Sequence, residues 1–218
     1  MALGAFVRGL FGRHEHRVAE AYRSVFVDLD ALVGAVAAHR PRARRILEIG
    51  CGEGAMTEKL ALAYPAAEIL AVDPSPRLGR LYRGDRAMVA FRQGGVEGVA
   101  AGAAGGFDLV LLCDVLHHVP AAARPGLLRT AASLLAPGGT FVFKDWAPSR
   151  TVMHCLCEGG DRLLTGDRVS YLSEAAARAL VEDAFRPAPI TLRTAHVPPN
   201  RNNFAFFIEA GAPVGSDG

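Results

Sequence analysis

The stretch Arg45-Ile46-Leu47-Glu48-Ile49-Gly50-Cys51-Gly52-Glu53-Gly54-Ala55 limits what this chain can fold into more than any other. It opens with a short apolar run, which suits a strand buried on both faces of a parallel sheet. The run stops at alternating glycines, and Met56 to Tyr64 then reads as a helix. Strand, glycine turn and helix together build the floor of a nucleotide-binding crevice. Gly50 and Gly52 permit positive φ and put no Cβ between backbone and ligand. The helix that follows aims its free N–H groups at whatever lies above the turn.

Glycine spacing alone leaves the ligand open. Gly50, Gly52 and Ala55 also satisfy the dinucleotide pattern G-x-G-x-x-G/A, so a nicotinamide cofactor is compatible with it. Glu48 discriminates. A carboxylate just before the turn is awkward beside an anionic pyrophosphate and suits a cationic ligand. At this point the chain resembles the class I S-adenosylmethionine-dependent methyltransferases, whose first motif reads E-x-G-x-G-x-G. Glu48, Gly50, Gly52 and Gly54 match it in full.

The chain of 218 residues suits one sizeable α/β domain. A net charge of +2 makes no strong electrostatic case for nucleic acid. Cys51, Cys113, Cys155 and Cys157 show no secreted disulfide pattern, so free thiols in a reducing cytoplasm are expected. Met1 to Phe11 is apolar but lacks a basic leading region and is too short to span a bilayer. Leu3, Phe6, Val7, Leu10 and Phe11 form a helical stripe. It reads either as packing on the domain or as a lid over an acceptor pocket, with Phe6 as a substrate contact; a membrane-surface helix comes third, because the polar face has few charges.

His14 to His39 carries helical apolar spacing, with a break expected at Asp28 or Asp30, and Pro41 ends it. The basic run Arg40, Arg42, Arg44 and Arg45 reads as solvated surface. Ala67 to Asp73 reads as a second strand ending in an acid. An acid about 20 residues beyond such glycines is where a ribose is gripped through two hydroxyls. Asp73, followed by Pro74, is therefore the expected ribose ligand. Ala87 to Gln93 reads as the third strand. Related sequences often read G-D-A-E next, and this chain has Gly94-Gly95-Val96-Glu97. The resemblance then leaves the Val96 N–H and, in place of the missing acid, Glu97 to meet an adenine ring.

Phe107-Asp108-Leu109-Val110, an apolar run and Val115-Leu116-His117-His118-Val119 give the second match to the family. Ligands of open α/β sheets sit beyond the carboxyl ends of the strands. Cys113, Asp114, His117 and His118 fall at such an end. A histidine there can accept a proton from a hydroxyl or amine at neutral pH. His118 is the candidate general base, with His117 as the alternate. Cys113 and Asp114 are candidate cofactor contacts, and so is Cys51 between the glycines. Ala121 to Leu135 reads as a helix, Ala136-Pro137-Gly138-Gly139 as a turn, and Thr140 to Asp145 as the fifth strand, the third match. Asp145 and Trp146 end that strand on the ligand side as candidate substrate contacts.

Arg150 to Arg168 reads as an acceptor-recognition insertion. His154, Cys155 and Cys157 lie there without completing a zinc set, so no metal is expected. Ser173 is a candidate cap of a helix running to Phe185. Ile190 to Arg193 and Phe204 to Glu209 read as an antiparallel pair of strands.

The fold expected is one doubly wound Rossmann-like domain. Its seven-stranded, mostly parallel sheet closes on an antiparallel hairpin. Residues 1–40 would form N-terminal helices, 41–210 the domain and 211–218 a flexible tail. The resemblance implies S-adenosyl-L-methionine as cofactor and methyl transfer to the oxygen or nitrogen of a small-molecule acceptor, aligned with the C–S bond. Nucleic acid and a membrane span are not expected as partners. The alternatives are an RNA methyltransferase, a nicotinamide-dependent oxidoreductase and a non-catalytic protein that binds the cofactor.

Overall fold

The computed structural model describes residues 27–103, 106–148 and 169–211. The N-terminal stripe with Phe6, the segment with His154, Cys155 and Cys157, and the tail beyond 211 lie outside them.

Seven strands form one sheet in the order β3-β2-β1-β4-β5-β7-β6. They are β1 (Arg45–Ile49), β2 (Glu68–Asp73), β3 (Val89–Gln93), β4 (Phe107–Cys113), β5 (Leu135–Trp146), β6 (Ile190–His196) and β7 (Asn203–Ala210). The first five run parallel, and β7 enters antiparallel between β5 and β6. The chain leaves β1 towards β2 and β3, then returns to lay β4 on its other side. That reversal between β1 and β4 is the topological switch point, where such sheets open a crevice.

Both faces of the sheet are covered. On one lie α1 (Leu29–His39) and α2 (Ala55–Ala63), burying Leu32, Val33, Val36, Met56 and Leu60 against Ile46, Leu109 and Val142. On the other lie α3 (Glu97–Ala103), α4 (Arg124–Ser133) and α5 (Glu174–Ala184). They bury Val99, Leu128, Ala131, Ala177 and Val181 against Val110, Phe141 and Phe206. The largely apolar β1 and β4 follow from this double cover, since beyond Arg45 and Asp108 neither strand has a wet face.

Caps fix the helix starts. Asp28 Oδ1 accepts from the Ala31 N–H at 2.9 Å and caps α1; the helix expected before Asp28 lies outside the described residues. The Asp28 N–H donates to the carbonyl of Pro198, tying the start of α1 to the β6–β7 connection. Ser173 Oγ caps α5 by accepting from the Ala176 N–H, as expected.

Several boundaries differ from the sequence reading: β3 starts two residues later than the expected Ala87, at Val89, and β6 runs past the expected Arg193 to His196. Helix α4 starts three residues later than the expected Ala121, at Arg124, with Pro125 in its first turn. The Pro137-Gly138-Gly139 turn is absorbed into β5, which begins at Leu135. Phe107 pairs with Leu135 and Leu109 with Thr140, so the extra residues of β5 bulge between those pairs. Gly138 takes φ +70° there, where a Cβ would be strained.

Candidate functional site

A crevice of about 330 Å³ opens at the carboxyl ends of β1 and β4. Its floor is Glu48 to Glu53 with Ala55 and Met56; its far wall is Cys113, Asp114, His117, His118, Trp146 and Tyr171. Val27, Leu29 and Leu32 close the α1 side. The volume is in the range of small-ligand pockets.

The three glycines divide the work. A Cβ on Gly50 would stand 2.1 Å from Val115 Cγ2, so Gly50 is a packing glycine that lets the β4 turn close on β1. Gly54, at φ +92°, lies 3.0 Å from Tyr82 Cβ by the same measure and packs on the loop after β2. Gly52, at φ +51°, has nothing within 4 Å of its would-be Cβ. Only this glycine presents bare backbone to open space, a cradle that a side chain would fill. Its N–H donates to Asp73 Oδ2 at 2.8 Å, and Asp73 Oδ1 accepts from the Ser75 N–H at 2.8 Å. Asp73 thus holds the glycine turn and begins the next loop, and each of its oxygens retains a lone pair for a ligand hydroxyl.

Glu48 is 3% exposed, and its Oε2 accepts from Thr57 Oγ1 at 2.6 Å. Burial pushes its carboxyl up to about 7; the Thr57 hydrogen bond works against this and the charge of Asp73 adds to it. Burial also pushes the Cys51 and Cys113 thiols well up, and the neighbouring carboxylates reinforce this. Neither is therefore a ready thiolate.

On the far wall the two histidines differ. His117 is buried, and its Nδ1 meets Asp145 Oδ1 at 2.5 Å. Asp145 Oδ1 also accepts from the Trp146 N–H at 2.8 Å. A carboxylate only accepts, so it holds Nδ1 as the protonated nitrogen and leaves Nε2 with the lone pair. Tyr171 stacks on His117 at 4.9 Å, and the Ser170 N–H donates to the His117 carbonyl. Buried Arg124 clamps the same place, donating to the carbonyls of Val119 and Ser170. His118 lines the crevice, its ring 4.2 Å from that of His117. The geometry of an oriented base therefore belongs to His117, the alternate of the two read from sequence.

Asp145 sits behind His117 and does not line the crevice, so its place is that of an orienting group. Trp146 both closes the core and lines the crevice. Pro74 is exposed, with its carbonyl accepting from Gln93 Nε2. Val96 is buried in the core; Glu97 is exposed and its carboxylate folds over Gly95. Neither lines the crevice.

Thr57, Tyr171 and Lys144 are among the residues around the site that escaped the sequence reading. Thr57 gave no signal beyond a helical position. Tyr171 follows a long unpatterned stretch. Lys144 is fully buried on β5, and its Nζ donates to both oxygens of Asp114 at 2.7 and 2.8 Å. Asp114 is the one non-glycine residue at positive φ among the described residues, at +57°. Asp114, His117 and Asp145 bring donor atoms within 4.8 Å of one another, and the cation within that cluster is the Lys144 ammonium.

A doubly wound sheet with an antiparallel closing pair, and a glycine-floored crevice at its switch point, define a Rossmann-like α/β protein of the class I methyltransferase type. The chain belongs to the methyltransferase-domain family, whose model matches residues 16–184. It is 37% identical over 103 residues to a ubiquinone biosynthesis O-methyltransferase of Xanthomonas axonopodis pv. citri. A counterpart in Caulobacter is 36% identical over 101 residues. The first match covers 45% of this chain and 41% of that relative, so the chain spans well under half the length of the curated relatives it matches. Among solved structures, an O-methyltransferase family protein of Burkholderia thailandensis superposes with a TM-score of 0.68 at 16% identity, over 94% of this chain and 60% of that one. The 1,6-didemethyltoxoflavin N1-methyltransferase of the same organism gives 0.65 at 18% identity, over 96% and 89%. These likenesses establish a shared fold. No helix among the described residues is long and apolar enough to cross a membrane.

Proposed function

We propose that this protein transfers a methyl group from S-adenosyl-L-methionine to a hydroxyl or amine of a small-molecule acceptor, with His117 as general base. The observation that carries this reading is the sharing of one crevice by a buried acid, a bare glycine and a carboxylate-oriented imidazole. The donor set fits the cofactor. Glu48 offers a buried carboxylate to a cationic amino acid end, the cradle at Gly52 admits close backbone approach, and Asp73 has lone pairs for a ribose. The cofactor supplies a methyl group on a sulfonium, an electrophile that needs no further activation.

The chain's own residues position the acceptor and take its proton. Tyr171, Trp146 and the His117 and His118 rings offer flat apolar surface to an acceptor on the far wall. His117 Nε2 carries the lone pair that receives the proton, because Asp145 keeps the other nitrogen protonated. Leu29, Leu32 and Val27 bring apolar surface that keeps water from the reacting atoms. The small-molecule reading, rather than RNA, is supported by the small volume of the crevice and the near-neutral net charge. Buried Glu48 weighs against an anionic nicotinamide dinucleotide.

The test begins with parallel calorimetric titrations of S-adenosylmethionine, S-adenosylhomocysteine, NAD and NADP. Binding of the first two, lost in Asp73→Ala, is expected. Transfer of labelled methyl to a panel of phenols, catechols and aromatic amines follows, with His117→Gln slowing it about a hundredfold or more. Binding of NAD or NADP alone would overturn the cofactor assignment. Binding without transfer to any acceptor would favour a non-catalytic role.

A further inference from the structure

We propose that Lys144 is a positioning residue that cancels the charge of Asp114 and thereby keeps the neighbouring His117 imidazole unprotonated at neutral pH. This rests on the reading of His117 as the base.

The geometry is unusual on four counts. Lys144 is a lysine with no exposed surface, on β5 in the interior of the sheet. Its ammonium bridges both oxygens of Asp114 and lies 5.0 Å over the Trp146 ring. The tie is also reciprocal through the backbone, because the Asp114 N–H donates to the Lys144 carbonyl at 2.9 Å. Asp114 pays for its place with a left-handed backbone, a strain of about 1 kcal/mol for a residue with a Cβ. Burying a lysine is costly unless its charge is fully met. A pair built at that cost beside the base has an electrostatic consequence.

Around His117, among the described residues, stand Asp145 and Lys144 from β5, Asp114 and Cys113 from the end of β4, and His118 from the same turn. Tyr171 stacks from the far side, Arg124 holds the Ser170 carbonyl, and Glu48 lines the same crevice. Asp114, His117 and Asp145 have donor atoms within 4.8 Å of one another. Two bare carboxylates at that range would hold the imidazole as imidazolium, because an opposite charge within about 4–6 Å favours the charged form. An imidazolium has no lone pair to take a proton. With Lys144 in place, one carboxylate is matched and only Asp145, which the dyad needs, acts unopposed. The nearby Cys113 thiol feels the two charges with opposite signs: Asp114 pushes it up and Lys144 pulls it down.

The experiment is an NMR titration of the histidine ring signals in the full chain, with His117 assigned by its loss in His117→Gln. Lys144→Met is expected to move the His117 midpoint up by about one pH unit. Asp114→Asn should move it down, because the lysine is then unopposed. The double variant Lys144→Met with Asp114→Asn should return it near the starting value, and Lys144→Arg should preserve it. Should Lys144→Met not fold, Asp114→Asn and the double variant carry the test. A His117 midpoint unmoved in the folded variants would overturn the proposal. The methyl transfer pH profile is the second readout, and its acid limb is expected to follow the NMR midpoint. An NMR midpoint that moves while the acid limb stays fixed would support the Lys144 assignment and overturn that of His117 as base.

Discussion

Gly50 and Val115 meet across the switch point: a Cβ on Gly50 would stand 2.1 Å from Val115 Cγ2. That contact locks the turn after β4 onto the end of β1, and the turn carries both histidines. The glycine motif therefore serves two ends, one of packing at Gly50 and one of bare backbone facing the crevice at Gly52.

Alanine scanning of the two glycines should separate those ends. Gly50→Ala adds a clash to a strained φ of +79° and is expected to destabilise the fold by roughly 2–4 kcal/mol. Gly52→Ala meets only the strain of its φ of +51°, about 1 kcal/mol, because its Cβ enters open space. It should instead weaken S-adenosylmethionine binding at least tenfold by filling the cradle. Denaturant unfolding and calorimetry on both variants check this. Equal loss of stability in the two would mean that Gly52 also packs.

Glu48 gives a pH signature. Its folded carboxyl titrates at about 7 against 4.5 unfolded, so the native state holds the extra proton in between. Stability then falls as pH rises from 4.5 through about 7 and is level above that. The full penalty is roughly 3 kcal/mol, since each pKa unit is worth about 1.4 kcal/mol. Glu48→Gln keeps an acceptor for Thr57 Oγ1 and removes the charge. Its stability advantage should therefore be absent near pH 4.5 and grow to a plateau above pH 7. Unfolding curves collected from pH 4.5 to 8.5 measure it; parallel curves for the two proteins would show that Glu48 is not held neutral by burial.

Arg124 occupies the first position of α4, where a cation opposes the helix dipole. Its position is explained by what it grips, the carbonyls of Val119 and Ser170. Arg124→Met should cost roughly 2–4 kcal/mol and leave the Ser170 amide, which donates to the His117 carbonyl, poorly protected. Hydrogen exchange would reveal this as faster exchange at Ser170 than at Ala177 in α5. Uniform loss of protection in both places would mean that the clamp has no local role.

Much of this architecture was legible because the sequence states it locally. The apolar runs of β1 and β4, the caps at Asp28 and Ser173, and the acid at Asp73 each depend on a few adjacent residues. What was not legible depends on register. Lys144 reads as one polar residue in a strand, and its partner becomes visible only when Cys113 lies opposite Lys144 in the β4–β5 ladder. The choice between His117 and His118 turns on a single 3₁₀ turn, Leu116–His118, that brings one of them to Asp145. Pro137 to Gly139 reads as a turn because its residues favour one; pairing to β4 on both sides draws it into the strand.

Asp145→Asn is the sharpest test of the dyad. The change is isosteric and keeps the acceptor oxygen that meets the Trp146 N–H. That same oxygen, Oδ1, is the one that meets His117 Nδ1, so an asparagine holding it in place keeps the tautomer and removes only the charge. The imidazolium formed when His117 takes the acceptor's proton then has no carboxylate beside it, and His117 is the weaker base. Methyl transfer to a hydroxyl acceptor should fall by a factor on the order of 10–10³, the weight of one adjacent opposite charge, while cofactor affinity changes little, since Asp145 does not line the crevice. An acceptor already ionised at the assay pH needs no base and should be spared. Single-turnover rates with a weakly and a strongly acidic phenol make the comparison. Equal losses on both would assign Asp145 to holding the crevice rather than to orienting a base.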